Sequence, residues 1–288
     1  MRALIAAASL SWANAAFAHG GHDGEPSWTF DPWIVVPLLA GLLVYGLGYY
    51  RLSVRAGQGR KQLQRHGLFY VAGWLTLAGA LVSPLHWRGE HLFAFHMVEH
   101  EIVMAVSAPL IVLSRPSAVY MWAFAERTRM RIASVMTARL TRKGWSIVTG
   151  GAVSTTLHGA AIWVWHVPAL FDASIENVTI HRLQHLSFFV TAILFWWSVL
   201  WVSGRGAAAW HLFITMMHTS ILGALMALAP HVLYGAQTAD AARWGLTPLE
   251  DQQLAGMLMW VPAGTVYAGG ALAMLALLIG RSGRKINA

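Results

Sequence analysis

Long apolar runs separated by short polar stretches dominate the chain. Seven of them stand out, at about 33–50, 67–85, 92–113, 146–166, 181–201, 211–229 and 253–280. Each is near the ~20 residues that an α-helix needs to cross ~30 Å of hydrocarbon. The pattern predicts an all-α, polytopic membrane protein: a bundle of seven transmembrane helices over residues 33–280. Composition agrees, because 57% of the residues are hydrophobic and only 11% are charged. A soluble domain carries roughly 25% charged residues.

The first apolar stretch is different. Residues 1–18 read as a cleaved signal peptide, with Arg2 at the start, a short apolar run over Ala3 to Ala8, and Ala16-Phe17-Ala18 as the cleavage site. Cleavage leaves a His-rich periplasmic N-terminal segment, 19–32, ahead of the bundle. It begins His19-Gly-Gly-His22-Asp23.

Charge tests the orientation. With the N-terminus outside, the segments 51–66, 114–145, 202–210 and the tail 281–288 face the cytoplasm and hold five, seven, one and three Lys and Arg. The outer segments after the signal peptide hold only Arg88, Arg182 and Arg243. The positive-inside rule therefore predicts a periplasmic N-terminus and a cytoplasmic C-terminus. Within 114–145, apolar and Arg residues interleave from Ala118 to Leu140, which predicts one helix lying on the bilayer surface with its Arg residues on lipid phosphates. The net charge of +8 is thus a topology signal, and nothing in the sequence suggests nucleic-acid recognition. Eleven of the twelve acidic residues fall on the outer side or in the outer half of a helix, Glu126 being the exception. An outward-facing cation site would account for that bias.

Cysteine is absent, so disulfides and thiolate ligands are excluded. Fourteen His and twelve Met remain as ligands for a metal. His96 and His100 are spaced i, i+4 and project from one helix face, with Glu99 beside them and Met104 one turn deeper. They lie about 6 and 12 Å inside the outer boundary, where ionisable side chains usually face a protein interior or a water cavity. The pair suits a two-ligand clamp for a transition metal, and it equally suits hydrogen-bonded helix packing. His181 and His185 repeat the spacing at the outer start of the fifth run, and His166 ends the fourth. Asp251 opens the seventh, while His86, His91 and His231 flank outer loops. A shared level on several helices points to a metal site of His96, His100, His166, His181 and His185, with Glu99, Met104 and Asp251 as ligands or supports. A free amine with His19 and His22 forms a possible capture arm, or a plain linker. His158 and His218 lie deeper, where interhelical hydrogen bonds explain them. There is no phosphate-binding glycine loop and no nucleophile elbow.

Several short runs together resemble a known family. They are Ser83-Pro84-Leu85-His86; His96-Met97-x₂-His100 followed by Ala108-Pro109-Leu110; Trp165-His166-x-Pro168-x-Leu170-Phe171-Asp172; His185-x₂-Phe188 through Phe195-Trp196-Trp197; and Leu249-Glu250-Asp251-Gln252-Gln253-Leu254-x-Gly256-x₂-Met259-Trp260. Over about residues 35 to 275 the chain resembles the CtaG family of caa3-type cytochrome c oxidase assembly factors. The resemblance implies a seven-helix membrane protein that matures a haem–copper oxidase at a copper centre and is not an enzyme. Its expected partners are an oxidase subunit and membrane lipid, its expected cargo is copper, and its expected location is the bacterial inner membrane. Two other readings remain open from the residues. One is a haem-binding membrane oxidoreductase or haem-handling protein, although an i, i+4 pair on one helix cannot grip both faces of a haem. The other is a copper permease with His158 and His218 as inner stepping stones.

Overall fold

The computed structural model describes residues 26–55, 57 and 59–286, and of 281–286 it describes the backbone alone. The expected signal peptide, His19 and His22 lie outside the described residues. Helices, turns and loops make up the described chain, and no strand occurs among the described residues. In chain order the helices are α1 (Pro32–Arg55), α2 (Arg60–Val82), α3 (Pro84–His91), α4 (Phe93–Leu113), α5 (Pro116–Trp122), α6 (Glu126–Thr137), α7 (Arg139–Val148), α8 (Gly151–Trp165), α9 (Pro168–Glu176), α10 (Val178–Val202), α11 (Arg205–Ala227) and α12 (Pro248–Ile286).

Five of these, α1, α4, α10, α11 and α12, are each long and apolar enough to span a bilayer. Two more spans arise if α2 with α3, bent by 45°, and α7 with α8, bent by 61°, each count as one. The seven apolar runs thus map onto five unbroken helices and two bent pairs. The first bend has a local cause. Ser83 is extended and its hydroxyl accepts from Leu85 N–H, while Pro84 occupies the first helical position, where a missing N–H costs nothing. The expected single surface helix over 118–140 is broken instead. Ala125 and Ala138 are extended, so α5, α6 and α7 are three short pieces. No residue of α6 or α7 is buried, so nothing in the bundle holds this arm straight.

Within α4 the residues Ile102–Ser107 form a π-helical stretch. Ala108 N–H bonds to Val103 O, five residues back, and Pro109 has no N–H to offer Met104. The carbonyl of Met104 is left for another donor, and Trp196 Nε1 of α10 takes it at 2.9 Å. A polar side chain thereby repairs the helix and ties α4 to α10.

The core lies among α4, α8, α10, α11 and α12, where Phe93, Met104, Phe188, Phe195, Leu212 and Met259 are buried. The α11–α12 contact needs small residues. A Cβ on Gly223 would sit 2.7 Å from Gly256 O, and one on Gly256 would sit 2.6 Å from Gly223 O, so these backbones touch directly. Outward faces carry exposed Leu39, Leu43, Leu68, Leu183, Leu186 and Leu225. Such faces suit lipid rather than water. The segment 228–247 closes the end of the bundle that bears the histidines. Its Tyr234 hydroxyl donates to His166 O at 2.8 Å, and its Gln237 Nε2 donates to Gly89 O at 2.8 Å.

Candidate metal centre

Four helix segments converge at that closed end. The bend before α3 turns His86 inward. The first two turns of α4 present His96, Glu99 and His100. The end of α8 presents His166, and the start of α10 presents His181 and His185, all buried. Asn177 caps α10 by accepting from Thr179 N–H and Ile180 N–H, which fixes where its first histidine falls. The capping of α4 uses Asp251, whose two carboxylate oxygens accept from Phe93 N–H at 2.9 Å and Ala94 N–H at 3.0 Å. Asp251 is therefore placed at the N-terminus of the helix that carries His96 and His100, and both its oxygens are engaged there. Such a cap contributes about 1–2 kcal/mol.

The imidazoles form one continuous group. Ring centroids of His96 and His100 are 4.3 Å apart, His100 and His185 4.9 Å, His96 and His181 5.4 Å, His86 and His181 5.7 Å, and His100 and His166 6.5 Å. His96, His181 and His185 offer ligand atoms that all lie within 4.8 Å of one another. The Nε2 atoms of His181 and His185 meet at 2.7 Å, so one donates a hydrogen to the other. Glu99 supplies the carboxylate. Its Oε1 accepts from His86 Nδ1 at 2.8 Å and lies 3.5 Å from His185 Nδ1, while its Oε2 has no partner. Gly89 makes room for it, since a Cβ there would stand 3.0 Å from Glu99 Oε2.

Tautomers follow from the acceptors. His96 Nδ1 faces Gly89 O at 3.3 Å, and His166 Nδ1 faces Ile162 O at 2.7 Å. A carbonyl only accepts, so each Nδ1 carries the hydrogen and each Nε2 presents a lone pair. Both Nε2 atoms are buried without a partner, and so are both ring nitrogens of His100. A histidine oriented by a backbone carbonyl through one nitrogen, with the other left open, is the arrangement that metal-binding histidines adopt. His96, His100 and His166 each have one imidazole lone pair without a partner, and with a half-used carboxylate beside them they fit a soft or borderline transition metal.

The expected ligand Met104 is placed elsewhere, as are the loop-flanking His91 and His231. Met104 lies in the apolar core one turn deeper, with its carbonyl held by Trp196. His91 stacks on Trp87 and bonds to that residue's carbonyl, and His231 is exposed. His86, which the sequence shows only as flanking a loop, belongs to the cluster. Gln184 is a second addition, fully buried at 0% exposure with neither amide atom partnered, one turn from His181. An amide placed between two histidines of one helix was the available signal. Tyr234 outside the spans supports the site from above. Burial and the nearby Asp172 carboxylate push its phenol up to about 12, so it keeps the proton it donates to His166 O.

The cluster borders a cavity of about 1160 Å³ between α1, α2 and α10. His86, His181 and His185 form one end of its wall, and Trp28, Trp33 and Trp74 line the rest with other apolar residues. A family model described as cytochrome c oxidase caa3 assembly factor matches residues 43–280. No curated protein and no solved structure gives a significant match to the chain.

Proposed function

The chain belongs to the cytochrome c oxidase caa3 assembly factor family, and from that premise we propose that it serves a haem–copper oxidase as a copper carrier. The observation that carries this reading is the convergence of His96, His181 and His185 next to the unpartnered nitrogens of His100 and His166. Copper is cargo here. It is captured on the periplasmic side by His19 and His22, passes to the buried histidines, and is released to the oxidase subunit. Ligand exchange between neighbouring imidazoles suffices for each transfer, so no catalysed reaction is needed. Glu99 orients His86 and His185 and balances the ion's charge.

A membrane-embedded carrier suits a copper centre that lies within the bilayer, where a soluble donor has no access. The histidine end faces the periplasm of a bacterial inner membrane on this reading, which the distribution of Lys and Arg supports. A reporter active only in the periplasm, fused after Ala288, stays silent in that orientation. The permease reading has less support at His158, which bonds through both nitrogens to Thr191 and Tyr267, whereas His218 accepts from Trp163 Nε1 at 3.4 Å through Nδ1 and keeps a buried Nε2 without a partner. A haem is disfavoured by the close packing of six imidazoles.

Deleting the chain lowers oxidase activity and the copper content of the oxidase, leaves haem synthesis intact, and is rescued by excess copper. Full copper occupancy in the deletion strain under copper limitation would remove the carrier reading. A defect in oxidase subunit stability untouched by copper would replace it with a scaffold.

A further inference from the structure

The opposite end of the bundle holds a second cavity that the metal reading leaves unused. His181 and Trp201 sit near the two ends of α10, twenty positions apart, which places the cavity about 30 Å from the histidines. Its volume is about 470 Å³. Lys61, Arg65 and His66 line it from the first turns of α2, and Arg115 lines it from the junction of α4 and α5. No carboxylate lines the cavity. No ion pair to Lys61, Arg65 or Arg115 occurs among the described residues. Like charges gathered in one pocket repel one another unless an anion sits between them.

The backbone is shaped to bring Arg115 here. It is the one non-glycine residue with a positive φ among the described residues, at φ 50° and ψ 54°. Its guanidinium carbon stacks 3.8 Å from the centre of the Trp201 ring. Stacking fixes the plane of the group and leaves its N–H edge for an oxyanion, a geometry that phosphate oxygens match. The other wall is apolar. Leu113 and Trp201 belong to helices long and apolar enough to span a bilayer, and Phe69 to the α2–α3 pair that is so when counted as one, so that wall runs toward the lipid-facing surface.

We propose that this pocket binds an anionic phospholipid, with the phosphate between Lys61, Arg65 and Arg115 and the acyl chains along Phe69, Leu113 and Trp201. Basic pockets between transmembrane helices take such headgroups. The arm α5–α7 is separate, because none of Arg127, Arg129 and Arg131 lines the pocket.

The test places the full chain in phosphatidylcholine nanodiscs containing a minority of phosphatidylglycerol and reads retained lipid by native mass spectrometry. The wild type retains phosphatidylglycerol in preference to phosphatidylcholine. Arg65→Gln with Arg115→Gln weakens that retention roughly 25-fold, at about fivefold per charge. Arg129→Gln with Arg131→Gln removes the same charge from α6 and changes it less than about twofold. Should the pocket pair fail to insert, Lys61→Gln alone weakens retention about fivefold. Equal retention of both lipids by the wild type would overturn the proposal, and so would equal losses in the two double variants. Displacement of phosphatidylglycerol by inorganic phosphate at equal concentration would instead make this a soluble-anion site.

Discussion

His100 and His158 are both buried imidazoles on apolar helices, at 1% and 0% exposure, yet they meet opposite surroundings. His158 contacts Thr191 Oγ1 at 3.2 Å through Nδ1 and the Tyr267 hydroxyl at 3.3 Å through Nε2. Neither nitrogen of His100 has a partner, and its neighbours His96, His166 and His185 are further imidazoles. An unmet buried polar group costs about 1–3 kcal/mol. A fold bears that cost at several adjacent groups when something else fills them. Burial of a histidine in a span therefore does not by itself mark a ligand, and the unpartnered nitrogens gathered among neighbouring imidazoles are what sets His100 apart from His158.

The contrast is tested most severely by removing each region in turn. His96→Ala together with His100→Ala abolishes copper retention while the chain still inserts, because loss of a direct ligand exceeds the roughly 10–100-fold cost of losing a supporting group. His158→Ala leaves copper unchanged and lowers thermal stability. Equal copper loss in the two variants, measured on membranes with matched protein, would erase the distinction. Glu99→Gln comes next. It keeps the shape and one acceptor for His86 but loses the carboxylate, and competition with a copper chelator then shows about 10–100-fold weaker binding.

Asp251 separates capping from ligation. Asp251→Ala lowers unfolding stability by about 1–2 kcal/mol, and Asp251→Asn loses part of it, because Asn offers one acceptor oxygen where Asp251 accepts from both Phe93 N–H and Ala94 N–H. Copper loss in an Asp251→Asn protein that still inserts and folds would make the carboxylate a ligand after all. Tyr267→Phe has the smallest effect. It removes one hydrogen bond from His158 and costs about 0.6 kcal/mol, the average for such bonds within membranes. A loss of copper in this variant would tie the deeper histidine to the site.

The spans were legible in the sequence because hydrocarbon demands long apolar helices, and both i, i+4 pairs were legible because spacing alone sets a helix face. The meeting of α4 with α10 was not, since it depends on which faces pack. Trp196 reaching the Met104 carbonyl beside Pro109 shows how specific that packing is. His86 was hidden because only the bend at Ser83-Pro84 turns it inward. Asp251 was legible as a carboxylate at the right level, but the two N–H groups of α4 that engage it belong to a residue pair 157 and 158 positions away. The surface arm is interrupted at Ala125 and Ala138 although alanine favours helix, and no residue of α6 or α7 is buried to hold one continuous helix.

On the copper-carrier reading the histidine cluster holds copper and the deeper pair does not. Elemental analysis of the protein purified from native membranes, with its visible spectrum recorded on the same sample, tests it most directly. The expected result is stoichiometric copper and no haem bands in the wild type and in His158→Ala, and background copper in His96→Ala with His100→Ala. A copper-free wild type from copper-replete cells, or unchanged copper in a stably inserted double variant, would contradict it.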